Sequence, residues 1–180
     1  MNQNSGSPQV FAYRYIHEIK CTFDSFDVTR LQKAIEMINK AERVFVAGNG
    51  GSAAISSHLE CDFLKNRGRP VFSLIDNPAT LMMIANDFGY DKVIAYQVEK
   101  KVTEKDLLIL ISSSGSSVNV VMAAVKARLM RIPLIAMTGF SGGVLKDLCD
   151  LNLQVTSENY GVVEDCHQAI MHILSQFKEG

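Results

Sequence analysis

The chain has 180 residues, with 18 Lys+Arg against 19 Asp+Glu and 47% hydrophobic residues. That is enough for one α/β domain with a sizeable core, and it carries no basic excess of the kind that binds nucleic acid. The N-terminal MNQNSGSPQV lacks a charged-then-apolar leader pattern and no apolar run reaches about 18 residues, so the sequence predicts a cytoplasmic protein that does not enter a membrane.

Residues 1–8 read as disordered. From Val10 to Ile38 the pattern is helical, with Phe11, Tyr15, Ile19 and Phe23 recurring every fourth residue, then Leu31, Ile35 and Ile38 after a break at Asp24 to Asp27. Two helices therefore precede the first strand, in an N-terminal segment bounded at 1–40. Their stripes are richer in aromatic and long aliphatic residues than one sheet face requires, and are expected to pack against another subunit.

Arg43 to Ala47 is a short β-branched run that enters Gly48, Asn49, Gly50, Gly51 and Ser52 before a helix ending near Lys65. A strand that turns through glycines into a helix builds an anion site, because glycine backbone approaches a ligand closely and the first helical amides lack partners. The same helix carries His58 and Asp62, four residues apart and so on one face. A tight turn followed by a surface His/Asp pair is the plain alternative.

A second strand is predicted at Val71 to Ile75, then a turn at Asp76 to Pro78 and a helix over Ala79 to Asn86. After an amphipathic stretch, Val93 to Lys101, comes Leu107 to Ile111, apolar at every position and hence a central parallel strand. It runs into Ser112, Ser113, Ser114, Gly115, Ser116 and Ser117, then a helix over Val118 to Met130. A strand over Ile132 to Met137, a glycine-rich loop to Gly143, a short helix over Val144 to Cys149, a strand over Leu151 to Val155 and a helix from about Val162 to Phe177 complete the chain. This alternation specifies an α/β three-layer sandwich: a five-stranded parallel sheet with helices on both faces and right-handed crossovers.

Ligands bind such sheets beyond the carboxyl ends of the strands, where strand order reverses, and both special loops open there. Hydroxyls, backbone amides and a helix N-terminus together cradle a phosphate, although a solvated serine loop is the simpler account. GxGxxG and GxxxxGK[ST] are absent, which argues against a dinucleotide fold and a nucleoside triphosphatase.

In the last helix Val163, Cys166, Ile170, Ile173 and Phe177 form an apolar stripe. Glu164 and His172 lie on the other side, with Asp165 and His167 as further polar candidates. His58, Asp62, Glu164 and His172 together would suit zinc or another divalent first-row ion, or serve without metal as an acid and base pair. Cys21, Cys61, Cys149 and Cys166 show no CxxC spacing and are expected to be reduced and packed, with Cys61 the one to test for reactivity.

The segments GNGGSA (Gly48 to Ala53), AND (Ala85 to Asp87), ISSSGSS (Ile111 to Ser117), MTG (Met137 to Gly139) with Gly142 and Gly143, and VEDCHQAIMH (Val163 to His172) make the chain resemble the sugar isomerase (SIS) domain family. Within it, the resemblance is to phosphoheptose isomerases, which interconvert sedoheptulose 7-phosphate and glycero-manno-heptose 7-phosphate. It implies a flavodoxin-like SIS fold over 41–180, a homotetramer with sites built from more than one subunit, and a role in lipopolysaccharide or other surface-polysaccharide precursor synthesis. Carried over residue by residue, it implies a phosphate held by Ser52, Ser112, Ser113, Ser114 and Ser117 beside the Gly50 and Gly51 backbone, with Asn49 and Asp87 on the sugar. His58 and His172 match the family's metal and catalytic histidines, and the expected chemistry takes Glu164 or Asp62 as base, His172 as acid or metal ligand, and one zinc on His58, Asp62, Glu164 and His172 as electrophile. Two positions depart from the family pattern: Asp62 stands where glutamate is usual and Glu164 where glutamine is usual, which bears on the substrate more than on the reaction type. The other class is a non-catalytic SIS module, a sugar-phosphate-binding or regulatory scaffold, and His172 favours the enzyme.

Overall fold

The structure, a computed structural model, describes residues 7–177. Two helices, α1 (Pro8–Asp24) and α2 (Thr29–Lys40), precede β1 (Val44–Gly48), α3 (Gly51–Arg67), β2 (Val71–Ser73), α4 (Pro78–Phe88) and a 3₁₀ turn at Tyr90–Lys92. Then follow α5 (Ala95–Lys101), β3 (Leu107–Ser112), α6 (Val118–Leu129), β4 (Leu134–Thr138), α7 (Leu145–Leu148), β5 (Leu151–Gln154) and α8 (Tyr160–Gln176). The five strands form one parallel sheet in the order β2-β1-β3-β4-β5.

The predicted elements are present, with shifted ends. Of the segment read as disordered, residues 1–6 lie outside the described residues, whereas Ser7 and Pro8 open α1: the Ser7 hydroxyl accepts from the Val10 amide and Pro8 takes the first turn. The second strand stops at Ser73, where the Ser73 amide turns to the Glu60 carboxylate and the Ser73 hydroxyl to Asp76. β4 begins after Pro133, whose carbonyl accepts from Leu108 but which has no amide to give a neighbour.

Side chains alternate across a strand, so a strand apolar at every position feeds two cores. Val44, Val46, Leu107, Ile109 and Ile111 point to one face, where α2, α3 and α8 lie and α1 packs on the outside. Phe45, Ala47, Leu108 and Leu110 point to the other, under α4, α5, α6 and α7. From β1 the chain leaves through α3 on the first face; from β3 it leaves through α6 on the second, toward the opposite edge. Two crossovers in opposite directions on opposite faces share one handedness. The point where the order reverses therefore falls between β1 and β3.

These two strands are locked at their starting ends. Arg43 donates to both oxygens of Asp106, at 2.9 and 2.7 Å, and the Thr103 amide and hydroxyl add bonds of 2.8 and 2.9 Å. Burial pushes the Asp106 carboxyl up, but the bonds from Arg43 and Thr103 outweigh it and hold it below the ordinary carboxylate value. A group whose folded pKa is lowered contributes stability above its unfolded pKa and loses it as pH falls through the folded one. Asp106→Asn is expected to cost about 1.5–3 kcal/mol at pH 7, the range for hydrogen bonds to a charged group. Thermal unfolding of both proteins checks this: the gap should be full at neutral pH and shrink as pH falls from the ordinary aspartate value of about 4 toward the lower value of the folded carboxyl.

Candidate active site

The register sets Gly48 beside Ile111 and Ser112 beside Thr138, so the loops after β1, β3 and β4 open side by side on one edge. Gly50 has φ +54°, a left-handed conformation that a side chain disfavours, and it turns the strand into α3 within two residues. Gly115, at φ +62°, lets the serine loop touch the backbone of Gly142 and Gly143, and the Leu145 amide donates to its carbonyl at 2.9 Å. The glycines after β4 therefore brace the serine loop.

Between the loops lies a cavity of about 210 Å³ lined by Asn49, Gly50, Gly51, Ser52, Ile111, Ser112, Ser113, Ser114, Ser117, Tyr160 and Glu164. It contains every expected substrate residue except Asp87, together with the N-terminal turn of α3 and Ser117, the cap residue of α6. The Ser113 hydroxyl is buried without a partner, a costly arrangement that a ligand oxygen relieves. Asp87 is exposed and accepts from Asn86, away from the cavity, because it lies in the last turn of α4 on the solvent side.

Glu164 enters from α8, and its carboxylate fills the space that a Cβ on Gly51 would need. An acid is thereby held against the first turn of α3, where amides without intrahelical partners favour negative charge.

His58, Asp62 and His172 form a second group, with one ligand atom from each within 4.8 Å of the others. The imidazoles meet edge to face, centroids 5.1 Å apart. Asp62, 15% exposed, stands between them: Oδ2 is 2.9 Å from His172 Nδ1 and Oδ1 is 3.5 Å from His58 Nε2. Two imidazoles and a carboxylate with room for further ligands are a donor set that fits a catalytic zinc site. Glu164, expected as a fourth ligand, is not in this group. The distance is the reason: eight helical residues separate it from His172 by about 12 Å along the axis.

Among the other polar residues of α8, His167 is not on the polar side. It is fully buried and Nε2 lies 3.1 Å from the Thr138 carbonyl; burial pushes its pKa down to about 4, against the smaller effect of that bond. It is neutral at physiological pH and belongs to the core. Asp165 faces outward and accepts from the Tyr15 hydroxyl at 2.7 Å, which ties α1 to α8. Of the cysteines, only Cys166 is buried; Cys21 and Cys61 are exposed, and all four are free.

Three residues were missed by sequence reasoning. Asn119 exchanges hydrogen bonds of 2.8 and 2.9 Å with Asn49, coupling the two loops. Tyr160 closes one side of the cavity. Gln168 contacts both His58 and His172, at 2.9 and 3.1 Å, and its place midway between Glu164 and His172 on one helix face was the signal available.

The SIS domain family pattern matches residues 14–139. The chain is 36% identical over 148 residues to a phosphoheptose isomerase of Aliarcobacter butzleri, covering 79% of this chain and 78% of that protein. Solved phosphoheptose isomerases of Francisella tularensis and Neisseria gonorrhoeae superpose with TM-scores of 0.84 and 0.86 at 28% and 26% identity; each covers 93% of this chain, which in turn spans 93% and 96% of theirs. A pattern match of this extent, joined to relatives of this identity along most of the length, means that the chain belongs to the SIS domain family, among its phosphoheptose isomerases.

Proposed function

We propose that the protein is a sugar-phosphate isomerase that converts sedoheptulose 7-phosphate to D-glycero-D-manno-heptose 7-phosphate, in heptose supply for surface polysaccharides. The observation that carries this reading is the carboxylate of Glu164 in the same cavity as the serine cradle. The sugar's length agrees with it: from C1 to the phosphorus a seven-carbon chain spans about 10 Å, eight bonds at ~1.25 Å each, derived from C–C bonds of ~1.5 Å. With its phosphate among the serines, its reacting end reaches along α8 toward His172.

The ketose and aldose differ by one proton moved between carbons and one moved between oxygens. Glu164 takes a proton from C1, which leaves an enediolate with its charge on O2, and the O1 hydroxyl proton passes to O2. Return of the carbon proton from Glu164 to C2 leaves the aldehyde at C1. The uncapped amides of α3 and the cradle hydroxyls keep the phosphate end fixed through both transfers. Asp62 holds His172 by its Nδ1 and so fixes the ring's orientation.

His58, Asp62 and His172 would hold a zinc ion, which when bound supplies a positive charge to polarise the carbonyl. The reading includes action in the cytoplasm, supported by the four free cysteines; no helix among the described residues is long and apolar enough to cross a membrane. It also includes a homo-oligomer, a tetramer by family resemblance, assembled through α1. Val10, Tyr13 and Ile16 repeat every third residue there and are exposed, and Phe11 extends the patch.

Glu164→Gln is expected to lower kcat by about 10²–10⁴-fold, the usual contribution of a general base, with KM changed little. A coupled assay on sedoheptulose 7-phosphate measures both, and retention of most activity would move the base to Asp62. Removal of divalent metal with a chelator should cut turnover, and one equivalent of zinc should restore it; full activity in metal-free protein, checked by elemental analysis, refutes the zinc role. Tyr13→Glu with Ile16→Glu should shift the native mass measured by light scattering to a smaller species, and an unchanged mass would place the contact elsewhere.

A further inference from the structure

Gln168 has no part in the chemistry above, yet it is the residue that completes the histidine cluster. Its side-chain nitrogen lies 2.9 Å from His58 Nδ1 and 3.1 Å from His172 Nε2. Asp62 faces the opposite nitrogen of each ring. The amide thus touches both imidazoles, while the carboxylate is hydrogen-bonded to His172 at 2.9 Å and stands 3.5 Å from His58.

The proton positions follow from donor counting. A carboxylate only accepts, so His172 Nδ1, bonded to Asp62, carries a hydrogen, and the nearby charge of Asp62 favours the hydrogen of His58 at Nε2. In a neutral imidazole the other nitrogen is then a lone pair. One amide NH₂ has two hydrogens and can donate to two lone pairs at once, and its nitrogen is within reach of one nitrogen of each ring.

We propose that Gln168 is a positioning residue that fixes the tautomer and orientation of both histidines together. Without it, each ring can rotate or exchange its proton between nitrogens, and the two no longer present matched faces to Asp62. This extends the zinc reading above and rests on it for one consequence only. Were zinc held on the ring nitrogens that face Asp62, the protons would sit on the outer ones, those that face Gln168, and the amide turned end for end would offer Oε1 to both. Partners of this kind, on the far nitrogens of metal-binding histidines, are commonly worth about 10–100-fold in affinity.

The test uses full-length ¹⁵N-labelled protein, metal-free, with long-range imidazole spectra for tautomers and competition against a chromophoric chelator for zinc affinity. Wild type should show His58 protonated at Nε2 and His172 at Nδ1. Gln168→Leu should average both rings between tautomers and weaken zinc binding by about 10–100-fold, with an unchanged melting temperature to show an intact fold. Gln168→Glu separates the two roles: a carboxylate accepts from both outer N–H groups, so zinc affinity stays within a few-fold, but it cannot donate, so the metal-free tautomers are lost. The proposal is overturned if wild-type rings show mixed or opposite tautomers, or if Gln168→Leu leaves spectra and affinity as in wild type. If wild type takes no zinc while its tautomers still depend on Gln168, the positioning role stands and the metal reading falls.

Discussion

The site depends on the packing of α8 along α3. Ile55, Leu59 and Phe63 of one helix share a core with Val163, Cys166, Ile170 and Leu174 of the other, all buried. The helices run the same way: their first turns meet at Gly51 and Glu164, and their later turns at Asp62 and His172. One apolar contact therefore fixes two polar ones. A shift of α8 by a single residue, about 1.5 Å along and 100° around, would withdraw the acid from the cavity and the imidazole from its carboxylate together.

The sheet supplies the other half. β1 and β3 are adjacent and in register, so the turn after one and the serine loop after the other share a wall. Asn49 and Asn119 bond across it, each amide giving a hydrogen and taking one. The cavity is consequently built from segments far apart in the chain but attached to a single pair of strands. Its floor is as rigid as the sheet.

Much of this was legible in the sequence. The continuous apolar run at Leu107 to Ile111 marked the central strand because burial on both faces leaves no polar position. The glycine turn and serine loop marked the edge of the sheet on which the cavity opens. His58 and His172 meet as expected. Less legible was how the polar groups of α8 divide. Spacing puts Glu164 and His172 on one side of a helix, but the length between them sends one to the serine-lined cavity and the other to the histidine cluster. His167 reads as polar by type and is core by position, since its one hydrogen bond satisfies a strand carbonyl at the end of β4. Asp87 lies outside the cavity because a helix end can turn either way, and no pattern within α4 records which.

The ion pair of Arg43 with Asp106 lies at the edge of the sheet opposite the cavity, a strand's length of about 17–20 Å away. The ion pair that secures the strands and the residues that line the cavity therefore occupy different ends of the same strands. Loops at the upper rim can exchange hydroxyls, acids or imidazoles without loosening the fastening below. A scaffold divided in this way tolerates changes of specificity, and even the abandonment of turnover in favour of simple ligand sensing, while its topology persists.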